Sequence, residues 1–97
     1  MRILYRTNHL RQCNESMVAA ARTWGVFIAR RYRRRLQLVA DADTFESLFS
    51  VQALRLHPLR GDRAGLYAVD LDHQWRLILS VQDNVVVVEE VSNHYDG

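Results

Sequence analysis

The hydrophobic and polar positions change their spacing once along the 97-residue chain, near residue 50. Before this point apolar side chains recur at steps of three and four, which is the spacing of one helix face. After it they recur at steps of two in short runs, which is the spacing of β-strands. The pattern predicts one α+β domain over residues 1–97, with an N-terminal strand and a helical pair packed on one face of a small, mainly antiparallel sheet.

The N-terminal half begins and ends with short elements. The weak alternation over Arg2–Tyr5 predicts a strand, and Thr7 is a residue type that begins helices. At the other end, Asp43 and Glu46 have the spacing of a capping box. We therefore expect a further short helical turn over the TFESLFS segment that they introduce.

Gly25 divides the helical region into two segments. It separates the alanine-rich Met17–Trp24 from the arginine-rich Val26–Ala42, so the chain is expected to pivot there. In the second segment apolar side chains recur at steps of four and three, and the face they form should pack inward. This face consists of Trp24, Ile28, Tyr32, Leu36 and Val39.

The C-terminal half contains four strand candidates separated by turn residues. They are Ala53–Leu59, Leu66–Leu71, Gln74–Val81 and Asn84–Val91. If Asp72 and His73 form a two-residue turn, Val69 pairs with Arg76. This register places Arg76 and Tyr67 on the face of the sheet that the helices leave uncovered.

Charge is distributed as unevenly as hydrophobicity. All thirteen Lys and Arg positions are arginine, and the net charge of the chain is +2. Residues 1–40 carry nine arginines and one acidic residue, whereas residues 41–97 carry four arginines and ten acidic residues. A chain polarised in this way suits a strongly negative partner such as nucleic acid, although genome composition is an equal explanation for the absence of lysine.

Five arginines occupy six consecutive positions of the second helical segment. They are Arg30, Arg31, Arg33, Arg34 and Arg35. No acidic residue between Ser16 and Ala40 balances them. This cluster predicts a surface that binds RNA phosphates or an acidic partner, and the alternative is an ordinary solvated helix face.

Several classes of protein are disfavoured by the sequence. Apolar runs such as Val85–Val88 are far shorter than the roughly 20 residues of a membrane span, and the first residues contain no signal-peptide core. Cys13 is the one cysteine; it is expected to be a small buried side chain in a reducing compartment. Histidines and acids lack recognised metal-ligand spacings. We expect a cytoplasmic protein with no membrane association, metal or cofactor.

Six residues of the C-terminal half could line one concavity and cleave a phosphodiester. Candidate proton carriers are His57, His94 and Tyr95, and candidate phosphate ligands are Arg76, Arg60 and Arg63. Cleavage of RNA without a metal needs a base for the 2′-OH proton, an acid for the leaving 5′-oxygen and positive charge at the phosphate. Imidazole and guanidinium groups supply these functions near neutral pH.

The same residue types also have structural interpretations. His57 can end a strand, Tyr95 can pack, and His94 can lie in a frayed tail. His9 and His73 are expected to be structural or exposed, with His73 in a turn. Spacing alone does not decide between these interpretations and catalysis.

Three segments resemble the HigB branch of the RelE/ParE toxin superfamily. They are WGVFIARRYRRRL, LHPLRGDRAGLYAVDLDHQWRLIL and VVVVEEVSNHY, and with the first strand the resemblance covers nearly the whole chain. Its most specific parts are His57–Leu59, Gly61, Gly65 and Trp75–Leu77. The resemblance implies a RelE-like α+β fold and a metal-independent, ribosome-dependent mRNA endonuclease. It also implies a cognate antitoxin, either an acidic or a helix-turn-helix protein, that neutralises the toxin.

The resemblance carries over to individual positions. His57 matches the family's histidine before the hairpin, Arg60 its nearby basic residue, and Arg76 the arginine of the second hairpin strand. The helical arginines would then contact ribosomal RNA. The tail departs from the pattern, because Asn93–Tyr95 stands where members typically have Asp-Tyr-His. Two other functions therefore stay open: a ParE-like inhibitor of DNA gyrase without nuclease activity, and a degenerate toxin that only binds its antitoxin.

Overall fold

The computed structural model describes residues 1–93; His94 and Tyr95 lie outside the described residues. The elements are β1 (Arg2–Tyr5), α1 (Asn8–Glu15), α2 (Met17–Asp41), β2 (His57–Pro58), β3 (Tyr67–Asp70), β4 (Arg76–Gln82) and β5 (Val85–Ser92), with 3₁₀ turns at Glu46–Ser50 and Gly61–Arg63. The five strands form one sheet in the order β1-β5-β4-β3-β2. Only β1 and β5 run parallel among these neighbours. The predicted α+β class and mainly antiparallel sheet are confirmed.

Polar side chains set the boundaries of the two helices. The Thr7 hydroxyl accepts from the Leu10 N–H at 3.2 Å and begins α1. Ser16 then ends α1 and begins α2, since its N–H donates to the Gln12 carbonyl at 2.8 Å while its hydroxyl accepts from the Ala19 N–H at 3.2 Å. One serine satisfies groups of both helix ends. This break between α1 and α2 was not predicted from the sequence.

Gly25 interrupts α2 as predicted. Its φ of 84° and ψ of 161° are non-helical and lie in a region that only glycine adopts readily. The segment after Gly25 buries the expected apolar face: Ile28, Tyr32, Leu36 and Val39 are buried, and Trp24 packs against this core with its ring centroid 4.6 Å from that of Tyr32.

The helices pack on one face of the sheet and form a single core with it. On the sheet side this core contains Val69, Leu77, Leu79, Val86 and Val88, all fully buried. Cys13 of α1 is also fully buried, as predicted. Within residues 1–93, no helix is long and apolar enough to cross a membrane.

The turn between β3 and β4 is longer than predicted. The Leu71 N–H donates to the Trp75 carbonyl at 2.9 Å, so Asp72, His73 and Gln74 form the loop. The Asp72 carboxylate accepts from the N–H groups of Gln74 and Trp75 at 2.8 and 2.7 Å. A two-residue turn cannot offer both of these bonds to the side chain of its first residue. His73 is an exposed turn residue, as expected.

The longer loop moves the β3–β4 register by one residue. Val69 pairs with Leu77 rather than with Arg76, and Asp70 takes the place opposite Arg76. Because a one-residue shift exchanges the two faces of a strand, Tyr67 packs toward the core, and Ala68 lies on the face opposite the helices, where it is buried. The prediction for Tyr67 was therefore wrong, whereas Arg76 lies on the open face as expected.

Two shorter predictions were also wrong in detail. The turn at residues 46–50 exists, but Thr44 rather than Asp43 stabilises it, accepting at 3.2 Å from a main-chain N–H three residues later. The expected strand Ala53–Leu59 contains only His57–Pro58, because residues 52–55 form a turn.

Candidate functional site

The open face of the sheet, which is the face opposite the helices, carries two adjacent rows of side chains; most are polar and partly exposed, whereas Ala68 and Ile78 in the second row and Ser92 in the first are buried. Directly opposed residues of paired strands project to the same side, and this gives one row of Asp70, Arg76 and Ser92 and a second row of His57, Ala68, Ile78 and Glu90. From strand spacing, the Cα atoms of His57 and Arg76 are about 12 Å apart. A histidine and a long arginine side chain can therefore act on one ligand there.

His57 has a defined ring orientation. Its Nδ1 lies 2.8 Å from the main-chain oxygen of Arg55. A carbonyl oxygen only accepts, so Nδ1 carries the hydrogen of this bond and Nε2 is the nitrogen left for proton exchange. Arg55 presents that oxygen from a left-handed backbone conformation with φ of 48°, which is uncommon for any residue other than glycine.

The Asp70 carboxylate of the first row contacts two arginines, Arg76 of the same row and Arg55, which precedes β2. Asp70 lies 3.4 Å from Nε of Arg76 through Oδ1, and 3.2 Å from Nε of Arg55 through Oδ2. The side chains of Arg76 and Asp70 are about one quarter exposed, at 26% and 24%, whereas that of Arg55 is 76% exposed. The acid thus orients two guanidinium groups beside each other.

Arg63 contributes positive charge to the same face. Its Nη2 lies 3.0 Å from the Glu90 carboxylate. Arg63 follows β2 at one side of the sheet and Glu90 lies on β5, so the side chain lies across the strands between them. Arg60, at the start of the 3₁₀ turn, is exposed at this end of the sheet.

Three of the five helical arginines hold main-chain groups in place. Arg31 donates to the oxygen of Leu71 at 2.7 Å, Arg35 to that of Asp70 at 3.1 Å and Arg33 to that of Asn14 at 2.9 Å. Burial lowers the pKa of Arg35, as do the charges of Arg31 and Arg34. Arg30 and Arg34 are the exposed members of the cluster.

Two depressions border the helical arginines, and one of them reaches the open face. The larger, of about 860 Å³, lies along α2 and is lined by all five arginines and by Phe27. The Arg31 guanidinium lies 4.2 Å above the Phe27 ring centroid. The smaller, of about 420 Å³, shares Arg31 and Arg35 with the first and extends to Arg55 and Asp70. Positive charge is therefore continuous from α2 to the open face.

Three participants in this arrangement were not predicted from the sequence. Arg55, Asp70 and Glu90 contact or orient the predicted site residues, but their positions depend on strand pairing that composition does not reveal. Among residues 1–93, no three side chains of histidine, cysteine, aspartate or glutamate are grouped so that they could hold a metal ion. The predicted proton carriers His94 and Tyr95 follow the described part of the chain.

No family model and no curated protein matches the chain in sequence. Solved structures match it over almost its whole length. A YafQ mutant from E. coli superposes with a TM-score of 0.66 at 18% identity, covering 97% of this chain and 94% of that chain. A YoeB/ParE toxin from Agrobacterium tumefaciens gives 0.64 at 15% identity, covering 98% and 100%.

Two further matches are toxin-antitoxin complexes. The DinJ-YafQ complex from E. coli gives a TM-score of 0.63 at 18% identity, covering 98% of this chain and 96% of that chain. The YoeB-YefM complex from Staphylococcus aureus gives 0.58 at 16% identity, covering 98% of each. At these identities the similarity concerns the fold and does not distinguish the HigB branch. The chain has the RelE-like α+β fold shared by the YafQ and YoeB toxins.

Proposed function

We propose that this protein is the toxin of a type II toxin-antitoxin pair and that, like the HigB branch of the RelE/ParE superfamily, it cleaves mRNA on the ribosome without a metal. The observation that carries the proposal is the open sheet face, where His57 with a defined tautomer shares one surface with Arg63 and Arg76. The structural neighbours include two toxin-antitoxin complexes, which supports the toxin assignment. The reaction would take place in the cytoplasm.

In the proposed reaction the 2′-oxygen of the RNA attacks the adjacent phosphorus and the bond from phosphorus to the 5′-oxygen breaks. Negative charge grows on the non-bridging oxygens, and Arg76, with Arg63 or Arg60, stabilises it. His57 exchanges a proton through Nε2, because its Nδ1 hydrogen is held by the Arg55 carbonyl.

The second proton carrier is His94 or Tyr95. Ser92 pairs directly with Arg76, so the chain that carries these two residues leaves the sheet at the row of Arg76. This supports placing the tail in the reaction, with the assignment of base and acid open between His57 and the tail. Tyr95 would alternatively stack on a base of the substrate.

The proposed partners follow from the charge distribution. Arg30 and Arg34 are exposed on α2 and would contact ribosomal RNA together with the other helical arginines of the cluster. A cognate antitoxin, acidic or with a helix-turn-helix domain, would neutralise the toxin. Affinity purification from cells should recover a small co-encoded protein in a stable complex, and its absence would contradict this part.

Mapping RNA 5′ ends after brief induction tests the nuclease. We expect new ends inside translated messages only, and their loss in His57→Gln and Arg76→Ala but not in Arg22→Ala, an exposed arginine elsewhere on α2. Intact messages with toxicity relieved by gyrase mutations would instead identify a gyrase inhibitor. Normal translation at high expression would leave antitoxin binding as the function.

A further inference from the structure

Arg55 lies where the open face meets the smaller depression beside α2. Its side chain is 76% exposed and contacts Asp70 through Nε at 3.2 Å. Its backbone, at φ of 48°, places the carbonyl oxygen on His57. The Asp70 N–H donates to the Leu54 oxygen at 3.1 Å and so attaches this turn to β3. A strained and exposed arginine is thus held in a defined position beside the candidate site.

The depression at Arg55 is suited to an anion. Its charged lining consists of Arg31, Arg35, Arg55, Asp70, Asp72 and His73. Three arginines against two acids give its lining a net positive charge. Both acids are engaged by neighbouring groups, Asp70 by two arginines and Asp72 by two main-chain N–H groups. An entering phosphate would therefore meet the guanidinium groups with little competition from unpaired carboxylates.

Asp70 gives this depression a defined relation to Arg76. Its two carboxylate oxygens contact Nε of Arg55 and Nε of Arg76, so both guanidinium groups are oriented before any ligand arrives. The shared acid also reduces the repulsion that two neighbouring cations would otherwise experience. Such an arrangement is preorganised for two anionic groups at neighbouring positions.

We propose that this depression is a second phosphate subsite, in which Arg55 binds the RNA phosphate next to the one held by Arg76. The inference rests on the proposed function, because it assigns the ligand as one strand of RNA. Arg55 then contributes in two ways: its guanidinium binds the flanking phosphate, and its main-chain oxygen orients His57. Arg31 and Arg35 border the subsite on the helix side.

The variant Arg55→Gly separates the two contributions. Glycine adopts a φ of 48° without strain, so the carbonyl that orients His57 should stay in place while the guanidinium is lost. Arg22→Ala is the matched control, since it removes an exposed arginine that lines neither depression. Thermal unfolding should give midpoints close to that of the wild type for both variants, because the strain relieved at residue 55 is offset by the greater conformational entropy of glycine in the unfolded chain.

Binding is measured by ¹H–¹⁵N NMR titration with 2′-O-methyl oligonucleotides, which resist cleavage. A trinucleotide with two phosphodiesters should shift amide signals around residues 72–74 as well as those of Arg76 and its neighbours. A dinucleotide with one phosphodiester should shift only the latter. In Arg55→Gly the signals of residues 72–74 should no longer respond, and the trinucleotide should bind about threefold to tenfold more weakly. Equal responses of residues 72–74 in wild type and variant, or none in either, would overturn the subsite.

The outcomes also separate the subsite from the nuclease. If the trinucleotide occupies both positions but the wild type cuts no message on ribosomes, the subsite stands and the proposed function fails. If the wild type cuts messages and Arg55→Gly cuts them with unchanged kcat/KM, the function stands and the subsite fails. If Arg55→Gly binds the trinucleotide normally but sediments less with ribosomes, Arg55 contacts ribosomal RNA and the substrate subsite is wrong.

Discussion

Replacing Arg76 by alanine should nearly abolish RNA cleavage and leave the fold intact. Its side chain is 26% exposed, so water is partly excluded from the guanidinium, and a contact to transition-state charge in such a setting is worth about 3 kcal/mol. We therefore expect kcat to fall at least about a hundredfold. Loss of the ion pair with Asp70 should by itself cost under about 1 kcal/mol of unfolding free energy, because the pair is partly solvated and Asp70 keeps its contact with Arg55.

The assay is single-turnover cleavage on ribosomes programmed with one message, read by primer extension. Arg22→Ala provides the control for a general loss of positive charge, and thermal unfolding provides the control for folding. Cleavage by Arg76→Ala within threefold of the wild-type rate, with an unchanged unfolding midpoint, would refute the assignment of Arg76 to the scissile phosphate. A collapse of the unfolding midpoint would instead refute the energetic reasoning on the Asp70 pair.

Three further predictions concern stability. Gly25→Ala should cost about 1–3 kcal/mol of unfolding free energy, because alanine is strained at the positive φ of this position. An added Cβ would meet no atom within 4 Å, so no steric clash contributes to this cost; an unchanged urea midpoint would contradict the prediction. Tyr32→Phe should cost about 1 kcal/mol, because its buried hydroxyl donates to the Leu10 oxygen at 2.7 Å, and the same urea titration would detect it. Partial burial raises the pKa of Asp72, but main-chain hydrogen bonds more than offset this and leave its pKa lowered. Asp72→Ala should cost about 1 kcal/mol at pH 7 through the two lost main-chain hydrogen bonds. Because the pKa is lower in the folded chain, this difference should begin to shrink at about pH 4, where the carboxyl of the unfolded chain takes up protons, and should vanish below the folded pKa; urea unfolding at pH 7 and pH 3 tests it, and a pH-independent difference would count against it.

The sequence determined the elements whose signals are local. The helical face with Ile28 and Tyr32 could be identified from spacing alone, because an α-helix repeats within a few residues. Gly25 marked the pivot because few other residues adopt its conformation. The turn before β5 was also predicted, and there Asp83 and Asn84 have φ of 53° and 61°, values that a tight hairpin requires.

The sequence identified parts of the candidate site but not its arrangement. The resemblance selected His57, Arg60 and Arg76, and the arginine run drew attention to α2. Neither indicated that Arg31, Arg33 and Arg35 bind main-chain oxygens, because these partners lie 19 to 40 residues away along the chain. The same limit applies to Arg55, which has no feature in the sequence that distinguishes it from other arginines.

Tertiary structure decided which side chains share the open face. The Asp72 carboxylate accepts two main-chain hydrogen bonds in a three-residue loop, and the length of this loop sets the register that brings Asp70 opposite Arg76. The alternation of apolar and polar residues predicts where each strand lies, but it does not predict how β3 and β4 are aligned, because the alternation within each strand is the same in the predicted and the observed register. The free energy that selects between registers comes from core packing and turn hydrogen bonds formed together, so only the folded chain determines which charges meet.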